Sequence, residues 1–359
     1  MKKVKVDLGG NSYEVHIGAG LLAQTGLLLK ERSLSGKAVI ITDSTVKELY
    51  GDSLNQSLTG EGFSVITLSV PPGEEQKSLE NAGRLYQGLV DAHAERTTPV
   101  LALGGGVIGD LSGFVAATYM RGVPFVQVPT TLLAQVDSSI GGKTAVDHGQ
   151  LKNTIGVFYH PVMVVADIDT LKTLPENELA SGLAEVIKSA AVRNRSLFNF
   201  LEMNINKARE LHPEVLEDII SETARIKAEI VAKDEREEGV RGILNFGHTV
   251  GHAIEAVSGF RYKHGQAVAI GMMAAAKISS RMGILDKSEV LRLERLIIAA
   301  GLPAQMPELD KEKVTQAMQH DKKVRGDKIR FVLLKSIGNA FISDEVDPAL
   351  VKEVLVGRD

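Results

Sequence analysis

The chain contains no cysteine among its 359 residues. That absence excludes disulfides, thiolate zinc sites and a cysteine nucleophile together, so any metal must be held by His, Asp or Glu. No apolar run reaches the roughly 18 residues of a spanning helix. The lysines of the opening MKKVKVDLGG are followed by no apolar stretch, so a signal peptide is not expected. Basic blocks and tails are also lacking. With 41 Lys and Arg against 45 Asp and Glu, the net charge is −4, which argues against nucleic acid or a membrane surface as partner. A soluble, cytoplasmic protein is expected.

What is present is ordinary for a globular protein: 44% hydrophobic and 24% charged residues. The length leaves room for two domains, because single cores stop growing near 250–300 residues. In the first part, KVKVDL and YEVHIG flank Gly9-Gly10-Asn11, a hairpin signal. KAVIITD, FSVITLSV, PVLALGGG, VPFVQVPT and PVMVVAD follow as short β-branched runs, with amphipathic stretches such as SLENAGRLYQGLVDAH between some of them. Strands alternating with helices predict a parallel sheet covered on both faces. After Leu174-Pro175 the pattern changes to long 3.6-period segments, and KIRFVLLKSIGNAFIS reads as a small returning hairpin. The expected architecture is a Rossmann-like α/β nucleotide-binding domain over residues 1–174 and a helical metal- and substrate-binding domain over 175–359. A cleft between them is the expected site.

Three stretches carry chemistry. PVLALGGGVIGDLSGF is a strand running into a helix through Gly104, Gly105 and Gly106. Glycines there let a backbone approach a ligand, and a helix N-terminus attracts phosphate oxygens. Gly104, Gly106 and Gly109 match the dinucleotide fingerprint spacing, but the acidic residue that usually follows is missing; Asp43, ending KAVIITD, is the nearest candidate for a ribose. The plain alternative is a tight strand-to-helix turn. PTTLLAQVDSSIGGKTAVDHGQLKNTIGVFYHP has too little apolar periodicity for a regular element and reads as a long functional loop. Within it Lys143 follows Gly141-Gly142, where backbone N–H groups would stand exposed beside its ammonium. Together with Arg121, Lys188, Lys227 and Arg241 it indicates a pocket for a ligand of several negative charges. Finally, NFGHTVGHAIE sets His248 and His252 one helical turn apart, the geometry of a helical metal site. Thr249 after His248 excludes the metalloprotease pattern, which needs Glu there. Spacing alone leaves open whether both histidines bind a metal.

GGGVIGD, YMRG, VPTTLLAQVDSSIGGKTAVDHGQLKN, LASGLAEVIK, RGILNFGHTVGHAIE and HGQAVAIGM together resemble the 3-dehydroquinate synthase family, in the family's order and across most of the chain. The resemblance implies a metal, zinc or cobalt, on Glu185, His248 and His264, with His252 reaching the substrate phosphate instead. It implies NAD contacts at Asp43, Glu74, Lys77, Gly105, Gly106, Asp110, Thr130, Thr131, Lys143, Lys152 and the segment Thr170, Leu171, Lys172, Thr173. Implied substrate contacts are Arg121, Asp137, Lys143, Asn153, Lys188, Lys227, Arg241, Asn245 and His252, joined by Lys322 or Lys323. The family usually has Glu where this chain has Gln266, which puts a hydrogen bond around the metal site in question. A homodimer is the family expectation.

The implied reaction converts 3-deoxy-D-arabino-heptulosonate 7-phosphate to 3-dehydroquinate through oxidation, phosphate elimination, reduction and ring closure, with NAD ending as it began. Asp137 and His252 are the candidates for handling protons. A metal-dependent polyol dehydrogenase shares the GGGxxxD turn and the helical metal site but has little use for so many cationic side chains. Another sugar phosphate cyclase shares the NAD and metal residues and differs in its substrate contacts. A structural or regulatory role for NAD or metal would predict degraded site residues.

Overall fold

The structure, a computed structural model, describes residues 1–149, 151–319 and 329–356. Its strands are β1 (Lys2–Val6), β2 (Tyr13–Gly18), β3 (Lys37–Asp43), β4 (Ser64–Val70), β5 (Val100–Gly104), β6 (Phe125–Pro129), β7 (Lys143–His148), β8 (Leu151–Phe158), β9 (Met163–Asp167), β10 (Phe331–Ser336) and β11 (Asn339–Ser343). Its helices are α1 (Thr25–Glu31), α2 (Ser44–Val46), α3 (Asp52–Gly60), α4 (Leu79–Asp91), α5 (Gly106–Thr118), α6 (Glu176–Arg193), α7 (Arg195–Arg209), α8 (Pro213–Lys233), α9 (His248–Val257), α10 (His264–Arg281), α11 (Lys287–Ala299), α12 (Lys311–Gln319) and α13 (Pro348–Val356). None of the described helices is long and apolar enough to cross a membrane.

The first compact unit comprises Met1–Leu174 and Leu216–Ala232. Its seven strands run in the order β1-β2-β9-β6-β5-β3-β4. β1 and β2 pair antiparallel around Gly9, whose φ is +61°, and the remaining pairs are parallel. The period-2 alternation of a strand serves two cores here. Val39, Ile41, Val100 and Ala102 face α4 and α5, while Ala38, Ile40, Leu101 and Leu103 face α1 and α3. From β3 the chain moves outward to β4 and then returns to the other side of β3 as β5. That reversal of strand order falls between β3 and β5, the point at whose carboxyl side parallel sheets commonly bind ligands.

The second unit comprises Pro175–Val215 and Lys233–Asp359. Its core joins Val250 and Ile254 of α9, Ala267, Ile270, Ala274 and Ile278 of α10, Val314 of α12, and Phe331 and Leu333 of the β10–β11 hairpin. The unit is helical with the hairpin expected from KIRFVLLKSIGNAFIS. One cut at Leu174-Pro175 does not separate the two groups of residues. Most of α8 belongs to the first unit, where Leu216, Ile219, Ile220, Ala224 and Val231 are buried. These positions form one stripe of the helix, and its periodicity does not reveal which core receives it.

Asp167 ties β9 to the start of the chain. Its carboxylate accepts N–H bonds from Leu22 at 2.8 Å and from Gly20 and Asp169 at 3.0 Å. Burial pushes this carboxyl above its ordinary value, with those three donors opposing. Asp167→Ala would strand buried N–H groups, so chemical denaturation should register a loss of about 3 kcal/mol from the stability of this unit.

Candidate functional site

In the first unit the residues matching the family's NAD positions gather at the carboxyl edge of the sheet. Asp43 ends β3 and caps the next turn, its carboxylate accepting from Val46 N–H at 2.9 Å. Gly105 precedes α5 as its N-cap residue. None of Gly104, Gly105 and Gly106 is left-handed; close approach explains them instead. A Cβ on Gly104 would stand 2.8 Å from the Ile108 side chain, and one on Gly106 would stand 3.1 Å from Ser138 Oγ. The turn is thus tight, with no room for side chains at these positions. Thr130 follows β6 and donates its N–H to Gly104 O at 3.0 Å, while Thr131 Oγ1 accepts from Ala134 N–H at 3.2 Å.

Lys77, buried, bonds Asp110 and Asn153 together, and Lys152 lies 3.5 Å from Glu74. Burial raises the Asp110 carboxyl above its ordinary value, and the Lys77 ammonium pulls it back. The 3-10 turn Ile168–Thr173 adds Thr170, Leu171, Lys172 and Thr173. Leu171 is fully buried, and its carbonyl accepts from Leu174 N–H at 3.1 Å. Thr170 and Thr173 both bond the Tyr50 hydroxyl, and Lys172 pairs with Asp169 at 2.7 Å.

The long run read as a loop is largely regular. It contains a π-helical turn, Ala134–Ser138, and the antiparallel hairpin β7–β8. β8 is exposed on both faces, which removed the alternation that marks a strand. The N–H of Gly141 is not exposed beside Lys143, because it donates to the Tyr13 hydroxyl at 3.1 Å. The left-handed Gly141 and Gly142, at φ of +101° and +68°, turn the chain into the hairpin. The π-turn presents Asp137, which accepts from Lys227 of α8 at 2.7 Å. Gln135, missed in the sequence reading, secures this turn. Fully buried, it donates to the carbonyls of Pro129 at 3.2 Å and Asp167 at 2.9 Å. Arg121 sits exposed in a left-handed turn with Met120.

The second unit brings the metal candidates together. Glu185 and Lys188 lie on one face of α6, both buried, with the ammonium donating to Glu185 Oε2. Glu185 Oε1 lies 3.5 Å from His264 Nε2 and 3.8 Å from His248 Nε2. Bonds of about 2.0–2.2 Å in a tetrahedral shell set ligand atoms roughly 3.4 Å apart, so one oxygen and two nitrogens are spaced for one divalent ion. His248 Nδ1 faces Phe246 O at 3.3 Å. A carbonyl only accepts, so that nitrogen carries the hydrogen and Nε2 keeps its lone pair for the ion. Zinc and cobalt suit such a donor set. His252 lies beside this set, its ring centroid 5.2 Å from that of His248. Asn245 donates to Glu237 at 2.6 Å, and buried Arg241 donates to Glu235 O. Asp234, also missed, holds the strap before Arg241 by accepting from Arg241 and Gly239 N–H, each at 2.8 Å. Lys322 and Lys323 lie outside the described residues.

Close helix packing makes the convergence of ligands possible. Gly247, left-handed at φ +83°, precedes His248, and a Cβ there would stand 2.6 Å from Val268 O of α10. A Cβ on Gly271 would collide with Gly247 O, and one on Gly265 with the backbone of Ser181 in α6. No side chain fits at these crossings.

This fold is that of the NAD-dependent, metal-dependent sugar phosphate cyclases. A 2-epi-5-epi-valiolone synthase from Streptomyces hygroscopicus, solved with NAD+ and Zn2+, matches 98% of this chain and 99% of its own at 28% identity, TM-score 0.89. A 2-deoxy-scyllo-inosose synthase complexed with carbaglucose-6-phosphate, NAD+ and Co2+ matches 99% of each chain at 27% identity, TM-score 0.91. A glycerol dehydrogenase of Schizosaccharomyces pombe, 16% identical at TM-score 0.69, shares the fold alone. The chain belongs to the 3-dehydroquinate synthase family. Residues 67–181 match the model of the synthase N-terminal part, and 182–324 that of its C-terminal part. The 3-dehydroquinate synthase of Dehalococcoides mccartyi is 51% identical over 96% of each chain, and that of Desulforamulus reducens 48% over 99%.

Gly271→Ala should force α9 and α10 apart, costing about 1–3 kcal/mol in chemical denaturation and weakening Zn2+ binding in chelator competition while NAD binding persists. A second expectation concerns pH. Burial disfavours the His264 imidazolium, but bonds and charges from Glu185 and Glu255 outweigh it and raise the ring from 6.5 to about 10. An ion must displace that proton, so apparent Zn2+ affinity should rise roughly tenfold per pH unit below that value. In the ion-free protein the raised value has the opposite effect: its stabilisation is full below pH 6.5 and is lost as pH rises towards about 10.

Proposed function

We propose that this protein catalyses its family's reaction, converting 3-deoxy-D-arabino-heptulosonate 7-phosphate to 3-dehydroquinate and phosphate, a carbon–oxygen lyase step of aromatic biosynthesis. The observation that carries the reading is the Glu185, His248 and His264 set, placed beside Lys188 in a chain 51% identical to such synthases. Identity to the other cyclases is only 27–28%, which favours the synthase among enzymes sharing this machinery. Operation in the cytoplasm as a homodimer belongs to the same reading.

Glu185, His248 and His264 would hold the divalent ion, and the carboxyl edge of the parallel sheet would hold NAD through Asp43, Glu74, Lys77, Gly105, Gly106, Asp110, Thr130, Thr131, Lys143, Lys152 and the 3-10 turn from Thr170 to Thr173. When bound, the ion would supply Lewis acidity to a substrate hydroxyl, and NAD would supply reversible hydride chemistry. In the second unit, Lys188, Arg241, Asn245 and His252 are assigned to the anionic groups of the substrate. Arg241 arrives buried and already anchored to Glu235 O, so little side-chain freedom is lost when it meets an anion. In the first unit, Arg121, Lys143, Asn153 and Lys227 have the same role. Asp137, held in one rotamer by Lys227, takes and returns a proton, with His252 as the second proton-handling group.

The test is phosphate release by the Zn2+- or Co2+-loaded protein with the heptulosonate phosphate and a trace of NAD, with absorbance followed for NADH. Phosphate should appear without net NADH. Chelation should abolish the activity, and added ion should restore it. Asp137→Asn should lower kcat roughly 10²–10⁴-fold and leave NAD binding intact. NADH accumulating with glycerol, and no phosphate, would establish a dehydrogenase instead.

A further inference from the structure

Two sets of three potential ligands share one imidazole. Glu185, His248 and His264 form the first, and His252, Glu255 and His264 the second. They use opposite nitrogens of His264: Nε2 lies 3.5 Å from Glu185 Oε1, whereas Nδ1 lies 3.3 Å from Glu255 Oε1. One His264 ring cannot present both lone pairs while also carrying a hydrogen. The arrangement must therefore choose between the sets.

Glu255 is placed to make that choice. It lies on α9 seven residues beyond His248 and three beyond His252, so all three side chains project from one face of the helix. Its carboxylate is 14% exposed. An ionised carboxylate only accepts, so Glu255 keeps a hydrogen on His264 Nδ1, and it is the Nε2 hydrogen, facing Glu185, that an ion displaces. His248 is set in the same sense by Phe246 O. Gln266 does not serve the ring. Its side-chain oxygen accepts from Lys263 N–H at 3.0 Å and closes the first turn of α10, which a Glu would do equally. The polar contact to His264 outside the first ligand set comes from α9.

We propose that Glu255 is the positioning residue of the ion site, fixing the Nδ1–H form of His264 and reserving the ion for Glu185, His248 and His264 over the overlapping set that includes His252. His252 is thereby left to substrate. The inference rests on the reading of Glu185, His248 and His264 as the ligands. Carboxylates that accept from the far nitrogen of a ligand histidine orient the ring and raise its basicity, and their loss weakens metal binding roughly 10–100-fold.

The experiment compares the full chain with Glu255→Gln and Glu255→Ala. Zn2+ affinity is measured by chelator competition, Co2+ binding by its visible absorption, and the hydrogen position on His264 by side-chain ¹⁵N NMR of the Zn2+-loaded protein. Glu255→Ala should weaken Zn2+ binding roughly 10–100-fold at one ion per chain and let His264 lose its single Nδ1–H form. Glu255→Gln, whose amide oxygen still accepts, should recover the Nδ1–H signal and most of the affinity, with the Co2+ spectrum unchanged. Unchanged affinity in Glu255→Ala would overturn the proposal. So would an altered Co2+ spectrum in Glu255→Gln, which would make Glu255 a ligand itself. An unmodified chain that binds no ion would overturn the metal reading, and this inference with it.

Discussion

The metal candidates depend on one steric constraint, the contact of α9 with α10 at backbone distance. His248 and His264 each open a helix, and fifteen residues of chain lie between them. They meet because Gly247, Gly251 and Gly271 let the two helices touch through main-chain atoms. Gly265 against Ser181 brings α6 into the same arrangement and with it Glu185. Side chains at these crossings would hold the ligands apart by more than one ion can bridge. The hydrophobic core of this unit stabilises the helices, but it is the missing side chains that determine the distance between ligands.

The first unit follows a different logic. Its sheet supplies a row of strand ends, and the reversal of strand order between β3 and β5 leaves them uncovered on one edge. Tight bonds then fix what stands there. Asp43 caps a turn, Lys77 joins Asp110 to Asn153, and the buried amide of Gln135 spans the ends of β6 and β9. These groups are arranged before any ligand arrives, which lowers the entropy lost on binding.

Much of this was legible in the sequence, for definable reasons. The parallel strands could be read because each is a short β-branched run between turn residues. The family motifs named residues that the structure brings together as Glu185 with His248 and His264, and as Lys77 with Asp110. Other features carried no local signal. β8 faces solvent on both sides and shows no alternation, so the sequence of this hairpin reads as a loop. The apolar stripe of α8 looks the same whichever core receives it. Gly104, Gly105 and Gly106 suggested a ligand turn, but the contacts that exclude side chains there come from Ile108, Thr131 and Ser138. Gln135, Asp234 and Glu255 act through hydrogen bonds to atoms distant in sequence or on the main chain. Only Glu255, in phase with His248 and His252 along α9, left a periodic trace that could have been followed.

The two candidate ligand histidines differ in what holds their far nitrogens. His248 leans on the carbonyl of Phe246, a group every residue at that position would supply. His264 leans on a carboxylate that a single codon can remove. One half of the ion site is thus beyond the reach of point mutation at its supporting position, and the other half is adjustable there. Exchange at the position of Phe246 therefore leaves the support of His248 in place, whereas exchange at the position of Glu255 removes that of His264.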